Sequence, residues 1–199
     1  MYDEWTEDEV MEGLVPGDTR LTYDDFLLFP DDGKRHEIID GVHYVTPSPR
    51  LGHQVLVGRL YFEIESWIRQ HPGAGTVFLS PLDVIFTKWD IVEPDLLFVA
   101  ADQQDILTDK NVQGPPALVI EIASPGTRKR DEGIKHRLFD RGGVREYWLV
   151  DPDRRRVRVW RRQPDGSFAR VADLSREQND IITTPLLPQL TISLVQLFS

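Results

Sequence analysis

Ala117-Leu118-Val119-Ile120-Glu121-Ile122-Ala123 is a nearly continuous apolar run with one acid inside it, and its reading decides the fold. A run of this length, broken by Ser124-Pro125-Gly126, suits a strand covered on both faces, as at the centre of an α/β sheet. Residues Arg128 to Arg141 then suit a helix with Ile134, Leu138 and Phe139 on one side and Gly142-Gly143 as the stop. A strand over Glu146–Val150 follows. Strand, helix and strand between 117 and 150 have the length of a βαβ crossover, which predicts two parallel strands in one sheet.

Working towards the N-terminus, Thr76–Leu79, Leu82–Phe86 and Ile91–Val99 are short apolar runs that read as a strand meander, the last containing Pro94. Leu51, Val55, Leu60, Ile64 and Trp67 or Ile68 recur at helical spacing, ended by His71-Pro72-Gly73, and predict the long helix. His36–Val45 is strand-like on both sides of Asp40-Gly41, the signature of a tight type I′ hairpin. Thr22 caps a short helix that Pro30 stops. Residues 1–18 carry seven acids and no Lys or Arg, and are read as an acidic extension to a domain spanning 19–199. In the other direction, Val157–Arg161 and Phe168–Val171 around Pro164-Asp165-Gly166 suggest a hairpin, and Leu194–Phe198 a last apolar element.

A chain of 199 residues, 40% hydrophobic, supports one core rather than two. No stretch approaches the length of a membrane helix, and the expectation is a soluble cytoplasmic protein without a membrane partner. Cysteine is absent, which removes disulfides, thiolate nucleophiles and zinc–sulfur sites. The five histidines include no H-x-x-x-H pair, and no G-x-S-x-G motif is present. A net charge of −10 argues against broad attraction to a polyanion, so any nucleic-acid contact must use local basic patches.

Two acids lie among residues that favour burial: Asp95 within Ile91–Val99 and Glu121 within Leu118–Ile122. A buried carboxylate is costly without a cation or donors to compensate it. Two brought together raise each other's pKa, whereas a divalent cation between them keeps both ionised, and oxygen donors of this kind suit Mg²⁺ or Mn²⁺. Taken singly, each acid reads equally well as a structural residue at a strand end.

RHEIIDG at 35–41, PLDVIF at 81–86, VEPDLLFV at 92–99, ALVIEIASPGT at 117–127, the D-x-x-x-K of Asp131 and Lys135, and GVREYWLVDP at 143–152 together resemble the Uma-two family of putative restriction endonucleases. That family, formerly a domain of unknown function, belongs to the PD-(D/E)XK nuclease superfamily. The resemblance covers about 20–198 and implies a restriction-endonuclease-like α/β core: a mixed central sheet flanked by helices, with an N-terminal hairpin and extra C-terminal strands. It also implies a metal-dependent endonuclease acting on DNA ahead of RNA, with a homodimer as the expected assembly.

Residue by residue, the resemblance makes Asp95 and Glu121 metal ligands and catalytic groups, with Glu37 completing the acidic set. Glu37 reads equally as a surface strand residue. The superfamily's lysine would stand two residues after Glu121, on the same face of the strand, but that position is Ala123. Lys135 on the following helix is its substitute in the similar family, and the rival reading pairs it with Asp131 across one helical turn. Arg128, Lys129 and Arg130 form a local basic cluster suited to substrate phosphate or, alternatively, a solvated helix surface. His53 stands where the similar family often has histidine, as a proton shuttle or phosphate ligand. A non-catalytic binding or regulatory module that keeps the fold remains the alternative, and a metal-dependent phosphatase is a third possibility.

Overall fold

The computed structural model describes residues 20–46 and 48–199; the acidic segment 1–18 lies outside the described residues. In chain order the elements begin with α1 (Tyr23–Phe26), β1 (Arg35–Ile39), β2 (Val42–Thr46), α2 (Leu51–Gln70), β3 (Gly75–Leu79), β4 (Val84–Thr87), β5 (Asp90–Val92) and β6 (Leu96–Ala100). After a 3₁₀ turn come β7 (Val112–Gln113), β8 (Leu118–Ile122), α3 (Arg128–Arg130), a π turn over Asp131–Lys135, and α4 (His136–Gly142). The chain closes with β9 (Glu146–Asp151), β10 (Arg156–Arg162), β11 (Phe168–Ser175), β12 (Ile181–Ile182), β13 (Ile192–Ser193) and α5 (Leu194–Leu197).

The central sheet has six strands in the order β11-β10-β9-β8-β6-β3. β8 and β9 run parallel, as the crossover length requires, and the other pairs are antiparallel. Side chains alternate across this sheet. Leu118, Ile120 and Ile122 join Leu96, Phe98, Trp148 and Val150 in the core formed with α2 and the C-terminal residues. Val119 and Ala123 join Leu97, Val99, Tyr147 and Leu149 in a second core beneath α4 and the other sheet. Glu121 shares the face of Val119 and Ala123, and so points into this second side.

The second sheet, β2-β1-β5-β4-β7, begins with the expected hairpin. Asp40 and Gly41 both take positive φ, 55° and 78°, as a type I′ turn needs. A Cβ at Gly41 would fall 2.5 Å from Cβ of Arg20, so the turn also depends on glycine for close approach. On β1, His36 faces away from its neighbours Arg35 and Glu37. It bonds His43 (2.9 Å) and Asp32 (3.0 Å), holding the outer side of the hairpin.

One expectation needs correction. The meander of three strands is four strands divided between two sheets: β3 and β6 pair in the central sheet, whereas β4 and β5 pair in the second. Pro94 is the cause, since it cannot donate to a ladder and the chain changes sheets between Val92 and Leu96. In α2, Leu51 and Val55 belong to the outer face, 83% and 43% exposed, while Leu56, Val57, Leu60, Ile64 and Trp67 fill the core. The helix over 128–141 is present with a π turn in the middle, and Gly143 (φ 90°) stops it.

Candidate active site

Asp95 immediately precedes β6, and Leu96 pairs with Ile120. Carried one residue further, this antiparallel register sets Asp95 opposite Glu121 on β8. The crossing at Pro94 leaves the Asp95 carboxylate free of its own ladder, and it accepts from three elements instead. Ile122 N donates to Oδ2 at 2.8 Å, His53 Nε2 of α2 donates to Oδ2 at 2.9 Å, and Arg35 Nη1 of β1 donates to Oδ1 at 2.7 Å. Burial opposes ionisation of Asp95, but the His53 hydrogen bond and the Arg35 charge outweigh it and hold its pKa below the usual carboxylate range.

Lys135, in the π turn, bridges two acids: Nζ lies 2.7 Å from Glu121 Oε1 and 2.7 Å from Glu37 Oε1. All three side chains are buried. A π turn widens a helix by one residue and recurs at functional sites; this one carries both Asp131 and Lys135 inward. Burial alone would depress the lysine pKa, but Glu121 and Glu37 reverse this and keep the ammonium charged. Lys135 therefore reaches the space above Ala123 and Glu121 from the helix. Its ion pairs are with the two glutamates rather than with Asp131.

Glu37 joins the two sheets. Oε1 accepts from Glu93 N at 3.0 Å, and Oε2 lies 3.4 Å from Arg130 Nη2 without a hydrogen-bond partner. Its burial is outweighed by Lys135 and Arg130, which bring its pKa down. The neighbouring acids go the other way. Burial pushes Glu121 up to about 8, with Lys135 resisting and Asp95 adding to the rise. Burial likewise takes Glu93 to about 7 and Asp131 to about 6. Five acids thus face three fixed cations, Lys135, Arg35 and Arg130, and the surplus negative charge resists ionisation.

Of the residues singled out in the sequence, Glu37, Asp95, Glu121, Lys135, His53 and Arg130 meet here. Arg128 turns away to Asp151 (2.9 Å) and Asp153 (2.8 Å), and Lys129 is exposed. Sequence reasoning passed over Arg35, Glu93 and, as a member of the cluster, Asp131. The signal for Arg35 was its i, i+2 spacing from Glu37, which puts both on one face of β1.

A mixed sheet with helices on its flanks, and an acid cluster where it meets the second sheet, makes this a mixed α/β protein. The family model described as "Putative restriction endonuclease", Uma2, matches residues 23–195, and the chain belongs to that family. The fold is similar to the crystal structure of a "putative nuclease belonging to DUF820" from Anabaena variabilis, with a TM-score of 0.72 at 24% identity, covering 89% of this chain and 97% of that one. No curated protein matches the chain. Among the described residues no helix is long and apolar enough to cross a membrane.

Proposed function

We propose that the protein is a divalent-metal-dependent endonuclease that hydrolyses phosphodiester bonds, with DNA ahead of RNA as substrate. The observation that carries this reading is that Lys135 bridges Glu37 and Glu121 while Asp95 stands opposite Glu121 across the β6–β8 ladder, in a chain of this family.

The donor set suits a hard cation. All its acids offer oxygen, the surplus of carboxylates over cations leaves charge to be neutralised, and Glu37 Oε2 is buried without a hydrogen bond. Among the described residues no three acid or imidazole groups converge on one point. Mg²⁺ is commonly held by one or two carboxylates, with water and substrate oxygens completing its shell. Asp95 and Glu121 would hold Mg²⁺ or Mn²⁺, with Glu37 behind them. When bound, the ion supplies polarisation of the phosphoryl group and acidification of water.

The protein's own groups do the rest. Arg35, His53 and the Ile122 amide hold Asp95 in place, and Lys135 Nζ orients the attacking water and opposes negative charge as it develops on the phosphoryl oxygens. Arg130 contributes positive charge beside Glu37 for the substrate backbone. No covalent intermediate is needed. A cytoplasmic homodimer cutting two strands accords with this reading, and sedimentation analysis tests the dimer.

The deciding experiment is calorimetric titration of Mg²⁺ and Mn²⁺ into wild type and Asp95→Ala, with cleavage assays on single- and double-stranded DNA and RNA. Metal-dependent cleavage by wild type, with binding lost in the variant, is the expected result. Equal weak binding and no cleavage would instead favour a non-catalytic module on the same fold, the reading that the net charge of −10 supports.

A further inference from the structure

Several arginines of the domain pair with acids other than Asp95. Arg128 serves Asp151 and Asp153, Arg158 serves Glu132, Arg161 serves Glu146 and Arg162 serves Asp140. Arg35 differs. Its Nη1 alone makes every hydrogen bond of the side chain, to Asp95 Oδ1 at 2.7 Å and to the Glu93 carbonyl at 3.1 Å.

A guanidinium has five N–H donors in a rigid plane. Among the described residues Nε and Nη2 of Arg35 have no hydrogen-bond partner, and they are not among the atoms buried without one, unlike Nε of Arg128, Arg130 and Arg176. This edge is open to solvent, and the side chain is 18% exposed beside an Asp95 that is nearly closed off. Asp95, Glu121 and Glu37 all keep the arginine charged.

We propose that Arg35 is a substrate-contacting residue: one edge of its guanidinium fixes Asp95, and the free Nε and Nη2 edge receives a non-bridging oxygen of a nucleic-acid phosphate next to the scissile bond. The inference rests on the nuclease reading and adds to it the group that ties the substrate backbone to the acid cluster. The planar fork makes this double use natural, because arginine matches phosphate and carboxylate geometry on separate edges. A lysine at 35 would be a single charged point serving both. Reaching from β1, Arg35 would set the phosphate against Asp95 directly, whereas the basic cluster at 128–130 contributes only Arg130 to this space.

The test is fluorescence anisotropy of a labelled DNA duplex with wild type, Arg35→Gln and Arg35→Lys, at saturating Ca²⁺ and over a range of salt. Calorimetric Ca²⁺ titration and thermal unfolding of each protein accompany it. Arg35→Gln is expected to weaken duplex binding about tenfold or more and to reduce the log–log salt slope by about one, the mark of one lost phosphate contact. Arg35→Lys is expected to recover the slope but not the affinity, and serves as the folded comparison if the glutamine variant does not fold. Wild-type affinity and slope in a folded Arg35→Gln, or full recovery of both by Arg35→Lys, would overturn the proposal and leave the nuclease reading standing. Failure of the wild type to bind or cleave any DNA or RNA would remove that reading and the proposal with it.

Discussion

Glu146 and Glu121 are both glutamates buried in adjacent strands of the same sheet, yet their surroundings are opposite in kind. Each oxygen of Glu146 has its own donor: Trp148 Nε1 reaches Oε1 at 2.6 Å and Arg161 Nε reaches Oε2 at 2.5 Å. One acid meets one cation and one neutral donor, with nothing left over. Around Glu121, the acids outnumber the cations, Glu37 Oε2 has no hydrogen bond, and burial pushes several carboxyls up towards neutral pH. The difference separates a buried charge matched donor for donor from a cluster whose acids outnumber its cations, the feature on which the proposed metal site rests.

The sharpest way to break this comparison is cleavage. Asp95→Asn and Glu121→Gln are each expected to lower cleavage by about a thousandfold, since Lewis-acid stabilisation is worth several kcal/mol and each 1.36 kcal/mol is tenfold in rate. Glu146→Gln, which keeps an acceptor for Trp148, is expected to keep the cleavage rate within a fewfold in steady-state assays on the same substrate.

Stability should rank the two sites in the reverse order. Glu146→Ala strands the Arg161 guanidinium and the Trp148 indole, and is expected to cost about 3 kcal/mol in urea unfolding. Glu121→Gln in EDTA replaces a carboxyl that burial already resists ionising while Lys135 keeps Glu37, and is expected to leave stability unchanged or raise it by about 1 kcal/mol. A large loss of stability in Glu121→Gln would mean that this acid, too, is simply a matched ion-pair partner.

The smallest effect is on pH dependence. Burial raises Glu121 to about 8, Glu93 to about 7 and Asp131 to about 6, all above their unfolded values. Below those values the folded chain retains protons that the unfolded chain has released. The stability they contribute is therefore fully present below their ordinary carboxylate values and lost progressively as pH rises from there through about 6 to 8. Thermal unfolding in EDTA should show this decline, and saturating Mg²⁺ should flatten it by replacing the protons. An identical slope with and without Mg²⁺ would argue that the ion does not enter the cluster.

Much of the centre was legible in the sequence because Asp95 and Glu121 are acids in apolar strands, and no surface reading accommodates them. Lys135 was placed by the family resemblance, its position beside the inward face of the helix only permitting the reach to the strand. Arg35 could not: an arginine on a hairpin strand reads as an exposed charge, and its partner Asp95 is 60 residues away. Glu93 was hidden for the same reason, its environment being made by Glu37, Asp83 and burial between two sheets. The fold was clearest where periodicity and connection length agree, as in β8 to β9. It was also clear in α2, although Leu51 and Val55 keep the helical period on the face opposite the core. Periodicity identifies a stripe without saying which stripe turns inward. The break at Pro94 was visible, but the transfer of the chain to another sheet depends on strand partners far away in sequence.

The crossing at Pro94 also bears on when the site comes into being. Glu93 gives its amide to Glu37 and its carbonyl to Arg35 on one sheet, while Asp95, two residues on, belongs to the other. Neither sheet alone brings these acids together, and Lys135 must still arrive from a helix made later in synthesis. A chain that has half unfolded carries all the residues of the cluster and none of its geometry. The cluster is thereby tied to the completed fold.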